Sequence, residues 1–322
     1  MQFPDSVMIR EVAPRDGLQS LGKPIATDQK IQMIDLLSET GFAAIEVTGF
    51  AHPRVIPQLA DAEEVVAGIT RRSGVDYRAL VPNIRGAERA LTAGVDTLVA
   101  LMTASESYSQ RNQNRSVDEL IDEALKILRL GRDAGVAVDV AVGIAFFCPY
   151  EGVVPEEQVE SIFARLIDGG ATSLYVATTV GMANPRQVYS LCSRLLRRWP
   201  DVDLAIHLHN TNGMALANGL AAMQAGVRTF EGAVCGIGGG IAMPEELGGV
   251  GNVATEDLVH LFEECGVDTG LDVDEVTAAA RSIGDLLDVR PASYITRGGS
   301  RAQVLAHRTG GDAPPRPASS VD

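Results

Sequence analysis

The 322-residue sequence is short of positive charge. Its 27 Lys and Arg stand against 42 Asp and Glu, a formal net charge of −15. A surface of that sign repels nucleic acid and anionic membranes, so neither is an expected partner, although local arginine clusters could still hold a phosphorylated ligand. Cysteine is scarce as well. Cys148, Cys192, Cys235 and Cys265 lie far apart and form no C-x-x-C unit, which argues against a disulfide framework and against a thiolate zinc site. No apolar stretch approaches the ~20 residues needed to span a bilayer. Met1 to Pro14 lacks the basic and apolar regions of a secretory signal. A cytoplasmic protein is expected. Also missing is a G-x-G-x-x-G after the first apolar run. Ala13-Pro14-Arg15-Asp16-Gly17 stands there instead, which counts against a doubly wound, dinucleotide-binding sheet.

What the chain does have is a repeated local pattern. A helical stretch ends in a small residue and glycine, and a short β-branched run follows, as in Thr40-Gly41-Phe42-Ala43-Ala44-Ile45-Glu46-Val47 and Ala93-Gly94-Val95-Asp96-Thr97-Leu98-Val99. Glycine just past a helix supplies the left-handed conformation that ends it, and the apolar run after it reads as a buried parallel strand. Strands are expected at Val7–Val12, Ala44–Thr48, Tyr77–Val81, Thr97–Met102, Ala137–Ala145, Ser173–Thr178, Asp203–Leu208 and Arg228–Val234. Helices fit between them, with caps expected at Thr27, before Asp28, and at Ser116, which with Glu119 makes a capping box. Eight βα units of this size predict an α/β TIM (β/α)8 barrel over residues 1–266. A further helix, roughly Asp272–Leu287, makes 267–297 a C-terminal helical extension. From Gly298 to Asp322 the chain turns rich in Gly, Pro, Ser, Ala and Arg and reads as a disordered tail. Gly236–Gly251 is a long glycine-rich loop, of the kind that usually carries function.

The polar residues gather where such a barrel does its chemistry, at the C-terminal ends of the strands. Strand seven ends in His207 and His209, and residues i and i+2 of a strand share a face, so the two imidazoles project together. Arg15 and Asp16 end strand one, Glu46 ends strand two with His52 just beyond, and Asn252 follows the glycine loop. One carboxylate, two imidazoles and an amide oxygen form a mixed oxygen–nitrogen set suited to Mg²⁺ or Mn²⁺, with Zn²⁺ less favoured. Two blander readings stand beside this one. Glu11 and Glu46 could be a structural pair inside the barrel, and Asn252 could simply cap the helix that begins near Thr255.

The sequence resembles the 3-hydroxy-3-methylglutaryl-CoA lyases, metal-dependent enzymes on a TIM barrel. The likeness runs from about Val7 to Val289. It rests on Ala13-Pro14-Arg15-Asp16-Gly17-Leu18-Gln19, Cys148-Pro149-Tyr150-Glu151-Gly152, His207-Leu208-His209 with Gly213, Gly236-Ile237-Gly238-Gly239 and Gly251-Asn252-Val253-Ala254-Thr255-Glu256-Asp257. The resemblance implies that Asp16, His207, His209 and Asn252 bind the metal. It makes Arg15 the catalytic cation and Glu46 a neighbouring acid, and it implies acyl-CoA substrates and a homodimer or higher homo-oligomer. The reaction implied is retro-Claisen cleavage of a branched 3-hydroxyacyl-CoA.

The chain departs from the lyase pattern at several points. Gly239-Gly240-Ile241-Ala242 stands where the family has Gly-Gly-Cys-Pro, and the same loop is longer through Pro244-Glu245-Glu246. Ala177-Thr178-Thr179 replaces Gly-Asp-Thr, and His209-Asn210 replaces a His-Asp pair. His52 stands where serine is common, and Cys235 where a smaller residue is. The metal set is kept while the acid/base groups change, which favours a related substrate with relocated proton carriers: His52 first, then Glu245 or Glu246, then Cys235. The alternatives are an aldolase or Claisen synthase of the same superfamily acting on a 2-keto acid, and a catalytically silent acyl-CoA-binding barrel.

Overall fold

The computed structural model describes residues 3–239 and 251–309. Eight parallel strands close into a barrel: β1 Met8–Glu11, β2 Ala44–Gly49, β3 Asp76–Val81, β4 Thr97–Thr103, β5 Ala137–Gly143, β6 Ser173–Ala177, β7 Asp203–His207 and β8 Thr229–Gly232. Each pairs with its neighbour in sequence, and β8 returns to β1 with Met8 opposite Thr229 and Glu11 opposite Gly232. The expected TIM barrel is therefore present, strand for strand.

Around it run α1 Thr27–Glu39, α2 Ala62–Gly68, α3 Ile84–Ala93, α4 Glu106–Gln113, α5 Val117–Ala134, α6 Glu156–Asp168, α7 Pro185–Arg198, α8 Ala215–Ala225, α9 Thr255–Glu264, α10 Val273–Leu287, α11 Tyr294–Gly298 and α12 Arg301–Thr309. Ser116 closes a full capping box on α5, a contribution of about 1 kcal/mol. Thr27 does not cap α1. Ala26 takes that position without a side-chain bond, because the Thr27 hydroxyl donates to Asp61 Oδ2 at 2.7 Å. Lys30 Nζ reaches the other oxygen of Asp61 at 2.6 Å, so Asp61 ties the start of α1 to the segment leading into α2.

The tail also corrects the composition-based reading. Arg301–Thr309 is helical. Ser300 and Gln303 form a reciprocal cap, each side chain bonded to the other's backbone N–H at 3.2 Å, and Gln303 Nε2 donates to Asp274 Oδ1 at 2.9 Å on α10. A local Ser-x-x-Gln signal thus overrides the average composition of the segment. Residues 310–322 lie outside the described residues.

The barrel has two cores. The outer one fills the space between strands and helices and takes in Val276, Ala280, Ile283 and Leu287 of α10, so the extension shares the barrel's apolar interior. The inner one is small: Leu80, Val99, Ala141, Tyr175 and Ala205 meet inside the lumen. Towards the N-terminal strand ends lies a charged floor. Arg10 Nη1 and Arg78 Nη1 both donate to Asp139 Oδ2 at 2.9 Å, Arg78 also holds Asp76, and Arg10 reaches Asp203. Those pairs plug the lumen from beneath, and the apolar layer seals it. Among the described residues the opposite end stays open, and the cleft forms there.

Candidate active site and metal centre

Directly after β1 the backbone forms one wide helical turn, Ala13–Gly17. The Val12 carbonyl accepts from the amides of Arg15 at 3.1 Å and Asp16 at 2.8 Å, which brings both side chains over the lumen. Gly17 is required there by close approach, since a Cβ would meet Ile237 Cγ1 at 2.6 Å. Arg15 lays its fork on Glu46, Nε to Oε1 at 2.8 Å and Nη2 to Oε2 at 3.0 Å, and its Nη1 donates to Asp16 Oδ1. Glu46 therefore pairs with Arg15 and not with Glu11. Ile9 and Glu11 share the strand face opposite Arg10 and point away from the lumen. Glu11 accepts from the amides of Ala13 and Val234 and from the Thr255 hydroxyl, a buried brace behind the site.

His207 ends β7, and His209 follows two residues later on the same face. Thr178 fixes this stretch: its amide donates to the His207 carbonyl at 3.0 Å and its hydroxyl accepts from His209 N at 2.8 Å. Backbone pairing of His209 with Asn252 brings the amide side chain in from the far side of the glycine loop. Asn252 Nδ2 donates to Asp16 Oδ2 at 2.7 Å and to the Ile237 carbonyl at 3.0 Å. It does not cap α9, whose N-cap is Ala254.

Asp16, His207 and His209 offer donor atoms within 4.8 Å of one another. His207 Nε2 and His209 Nε2 lie 3.7 and 3.6 Å from Asp16 Oδ2, too far for hydrogen bonds and close enough to share a cation. Asn252 Oδ1 and His209 Nδ1 are buried without a hydrogen-bond partner among the described residues. A carboxylate, two imidazoles and an unsatisfied amide oxygen fit a divalent ion of oxygen and nitrogen preference.

Burial and charge set the ionisation of these groups. Burial works to raise Asp16, but Arg15, His207, His209 and the Asn252 bond together hold it well below the ordinary carboxylate range. Burial pushes Glu46 up, opposed by Arg15. Burial and the charge of His207 lower His209 to about 4, which leaves a neutral imidazole near neutrality. For His207 burial pulls down, and the Glu231 bond with the Asp16 charge outweighs it, so its pKa is raised. Arg15 is raised despite burial, because Glu46 and Asp16 flank it, and it stays charged throughout.

The site opens into a cleft of about 430 Å³. Arg15, Asp16, His207 and His209 line its inner end, over the Leu80, Ala141 and Tyr175 layer. His52 lines the same cleft but at its exposed rim, outside the buried cluster, and its Nδ1 accepts from Arg54 N at 3.1 Å. Cys235 is not in the cleft. It is buried with Sγ donating to the Ala280 carbonyl of α10 at 3.0 Å. Gly240 and Glu245–Glu246 lie outside the described residues. Two residues that sequence reasoning missed belong to the site. Gln19 Nε2 donates to Asp16 Oδ1 at 2.6 Å, and Glu231 Oε2 accepts from His207 Nδ1 at 3.0 Å. A glutamate inside the apolar run of β8 was the available signal for the second.

Fold and site together define a (β/α)8-barrel enzyme whose open end carries a buried arginine–carboxylate fork beside a carboxylate–imidazole triad able to hold a divalent ion. The particular family follows from comparison: the chain belongs to the HMGL-like family, whose model matches residues 6–283. It is 41% identical over 283 residues to a hydroxymethylglutaryl-CoA lyase of Bacillus subtilis, covering 88% of this chain and 94% of that one. It is 36% identical over 295 residues to the human mitochondrial hydroxymethylglutaryl-CoA lyase, covering 92% and 90%. Its structure is similar to that of an HMG-CoA lyase from Acinetobacter baumannii in complex with coenzyme A and 3-methylmalate, with TM-score 0.89, 35% identity, and 98% and 100% of the two chains covered. No helix among the described residues is long and apolar enough to cross a membrane.

Proposed function

We propose that the chain is a divalent-metal-dependent carbon–carbon lyase that cleaves a branched 3-hydroxyacyl-CoA of the hydroxymethylglutaryl type by a retro-Claisen reaction. The observation that carries this reading is the meeting of the Arg15–Glu46 fork with the Asp16, His207 and His209 donors at the inner end of one cleft. Asp16, His207, His209 and Asn252 would hold Mg²⁺ or Mn²⁺. Bound there, the ion would supply Lewis acidity to oxygen atoms of the substrate.

The chain's own residues do the rest. Three of the five guanidinium N–H groups of Arg15 are committed to Glu46 and Asp16, which leaves two for substrate oxygen. They meet the charge that grows on the thioester oxygen as it becomes an enolate. Glu46 fixes the plane of the fork. In the reaction the alcohol proton passes to a base, the electron pair of the breaking C–C bond moves into the acetyl-CoA enolate, and the enolate carbon takes up a proton. Asp16, held low, is too weak a base for the first transfer. Burial pushes the Tyr108 and Tyr175 phenols up, so they stay protonated. His52 is the candidate proton carrier. Arg54 N–H occupies its Nδ1, which leaves Nε2 as the ring nitrogen for proton exchange.

The charge of the cleft supports an anionic substrate. In a chain of net charge −15, the described cleft lining holds Arg15, Arg115 and three histidines, with Asp16 as its one carboxylate. Cytoplasmic location and assembly as a homo-oligomer, often a dimer, belong to the same reading.

A second reading keeps the chemistry and changes the acyl group. It is favoured by the Acinetobacter enzyme's being in complex with coenzyme A and 3-methylmalate, and by Thr178 standing where the resemblance implies a carboxylate. The test is acetyl-CoA release from hydroxymethylglutaryl-CoA and a panel of branched 3-hydroxyacyl-CoA thioesters, with metal-stripped enzyme and added Mg²⁺ or Mn²⁺. Metal-dependent release is expected, and release from none of them would overturn the proposal. Hydroxymethylglutaryl-CoA cleaved as well as any other would remove the second reading.

A further inference from the structure

The two histidines of the metal set are not equivalent. His207 Nδ1 donates to Glu231 Oε2 at 3.0 Å, whereas His209 Nδ1 is buried with no hydrogen-bond partner among the described residues. The difference is built into the sheet. Glu231 and His207 stand directly opposite each other in the β8–β7 pairing, both side chains in the lumen, and both are almost fully buried. From the geometry we infer that Glu231 is a positioning residue for the reaction: it fixes the His207 ring with its proton on Nδ1 and presents the Nε2 lone pair to the ion shared with Asp16 and His209.

Three physical effects act together. First, an imidazole on a strand can rotate about two side-chain bonds, and each ring nitrogen can carry the proton. A carboxylate at 3.0 Å from Nδ1 removes both freedoms. Second, a negative charge on the far side of the ring makes Nε2 more basic and a stronger ligand. Third, a buried carboxylate is costly unless balanced, and the lumen balances this one. Arg78, in the charged floor, feels the Glu231 charge as one of the causes that raise its pKa. Glu231 thus links the floor that closes the barrel to the metal set above it. His209 has no such partner. Its orientation rests on the backbone instead, through Thr178 Oγ1 and the pairing with Asn252. The site therefore combines one imidazole anchored through its ring with one anchored through its main chain, and only the first depends on a second carboxylate.

This inference rests on the metal reading above, and the experiment separates the two. Mn²⁺ is titrated into the metal-free full chain, free ion is followed by electron paramagnetic resonance, and the dissociation constant is compared between wild type and Glu231→Gln. Glutamine keeps the shape and removes the charge. The variant is expected to bind Mn²⁺ at least about tenfold more weakly, the scale of losing an outer carboxylate behind a metal-bound histidine. Its metal-free melting temperature should stay within a few degrees of wild type, and its kcat should recover in part at saturating Mn²⁺. A merely structural role would lower the melting temperature and leave the Mn²⁺ affinity alone. Unchanged affinity in Glu231→Gln overturns the inference. If that variant does not fold, Glu231→Asp is measured in its place. Its shorter side chain is expected to weaken binding too, and wild-type affinity there overturns the inference equally. If wild type itself binds no Mn²⁺, the metal reading fails and not only the part given to Glu231.

Discussion

Replacing Arg15 by lysine separates charge from geometry at the centre of the site. The guanidinium spans both Glu46 oxygens, at 2.8 and 3.0 Å, and touches Asp16 with a third nitrogen. An ammonium donates from one atom and cannot serve all three acceptors and a substrate oxygen together. The first consequence is for stability. Glu46 is buried and loses at least one charged hydrogen bond, a cost of about 1.5–3 kcal/mol. For a domain of this size that lowers the melting temperature by several degrees without unfolding it at 25 °C. The second is for chemistry. Losing an aligned donor to a developing oxyanion lowers kcat by about 10²–10³-fold, or ~2.7–4 kcal/mol of transition-state stabilisation. The assay is acetyl-CoA release at saturating thioester and metal, with Mn²⁺ affinity measured separately. That affinity should change little, because Asp16 keeps its bonds from Gln19 and Asn252. A kcat close to wild type would refute the oxyanion role. A collapse of Mn²⁺ binding with little loss of kcat at saturating metal would mean that Arg15 acts through Asp16 instead.

Other outcomes test neighbouring parts of the argument. His207→Ala should abolish acetyl-CoA release and weaken Mn²⁺ binding strongly, and normal affinity in that variant would remove His207 from the metal set. Thr178→Val leaves the buried His209 amide without its acceptor at a cost of about 1–3 kcal/mol, so calorimetry should show a melting point lower by a few degrees. Glu256 is raised to about 8, chiefly by burial, so it takes up a proton more readily folded than unfolded. Its stabilising contribution is complete below the unfolded value near 4.5 and is lost as pH rises through about 8. Glu256→Gln should therefore gain stability relative to wild type as pH rises across that window, and a difference independent of pH would contradict the assignment. His52→Gln should alter the pH–rate profile if His52 carries the proton, whereas an unchanged rate and profile would make it a bystander.

Strands β2, β4, β5, β6 and β8 were legible because each follows a glycine just past a helix, and the others because buried parallel strands are largely apolar runs. The starts of the helices at Ile84, Val117 and Pro185 are marked in the sequence by Asn83, by the Ser116 box and by proline. Helix α4 was not legible. Its sequence, Glu-Ser-Tyr-Ser-Gln-Arg-Asn-Gln, has no apolar stripe and is announced only by the Ser105 cap. At the site, the i, i+2 histidines and the Arg15-Asp16 pair could be named, because their meeting depends on strand ends that any barrel gathers. The charged residues inside strands could be seen but not paired. Arg10 finds Asp139, 129 residues away, and Glu231 finds His207 only through the β8–β7 register. Glu11 shows the same limit, since one step of strand alternation sends it out of the lumen and away from Glu46.

The salt-bridged floor and the apolar layer above it have a kinetic side. With the barrel stopped from below, the cleft formed by the described residues is closed at its inner end, and whatever enters has no way out beneath. A cleavage reaction makes two products from one substrate, and here they form a queue. On the proposed reaction, the half still attached to the long carrier would occupy the passage, and the short half would be generated against the blind wall beside the metal donors. The carrier-bound half must then depart first. The short product should behave as the last to leave, competing with the incoming thioester for the free enzyme, while the carrier-bound product inhibits in a different pattern.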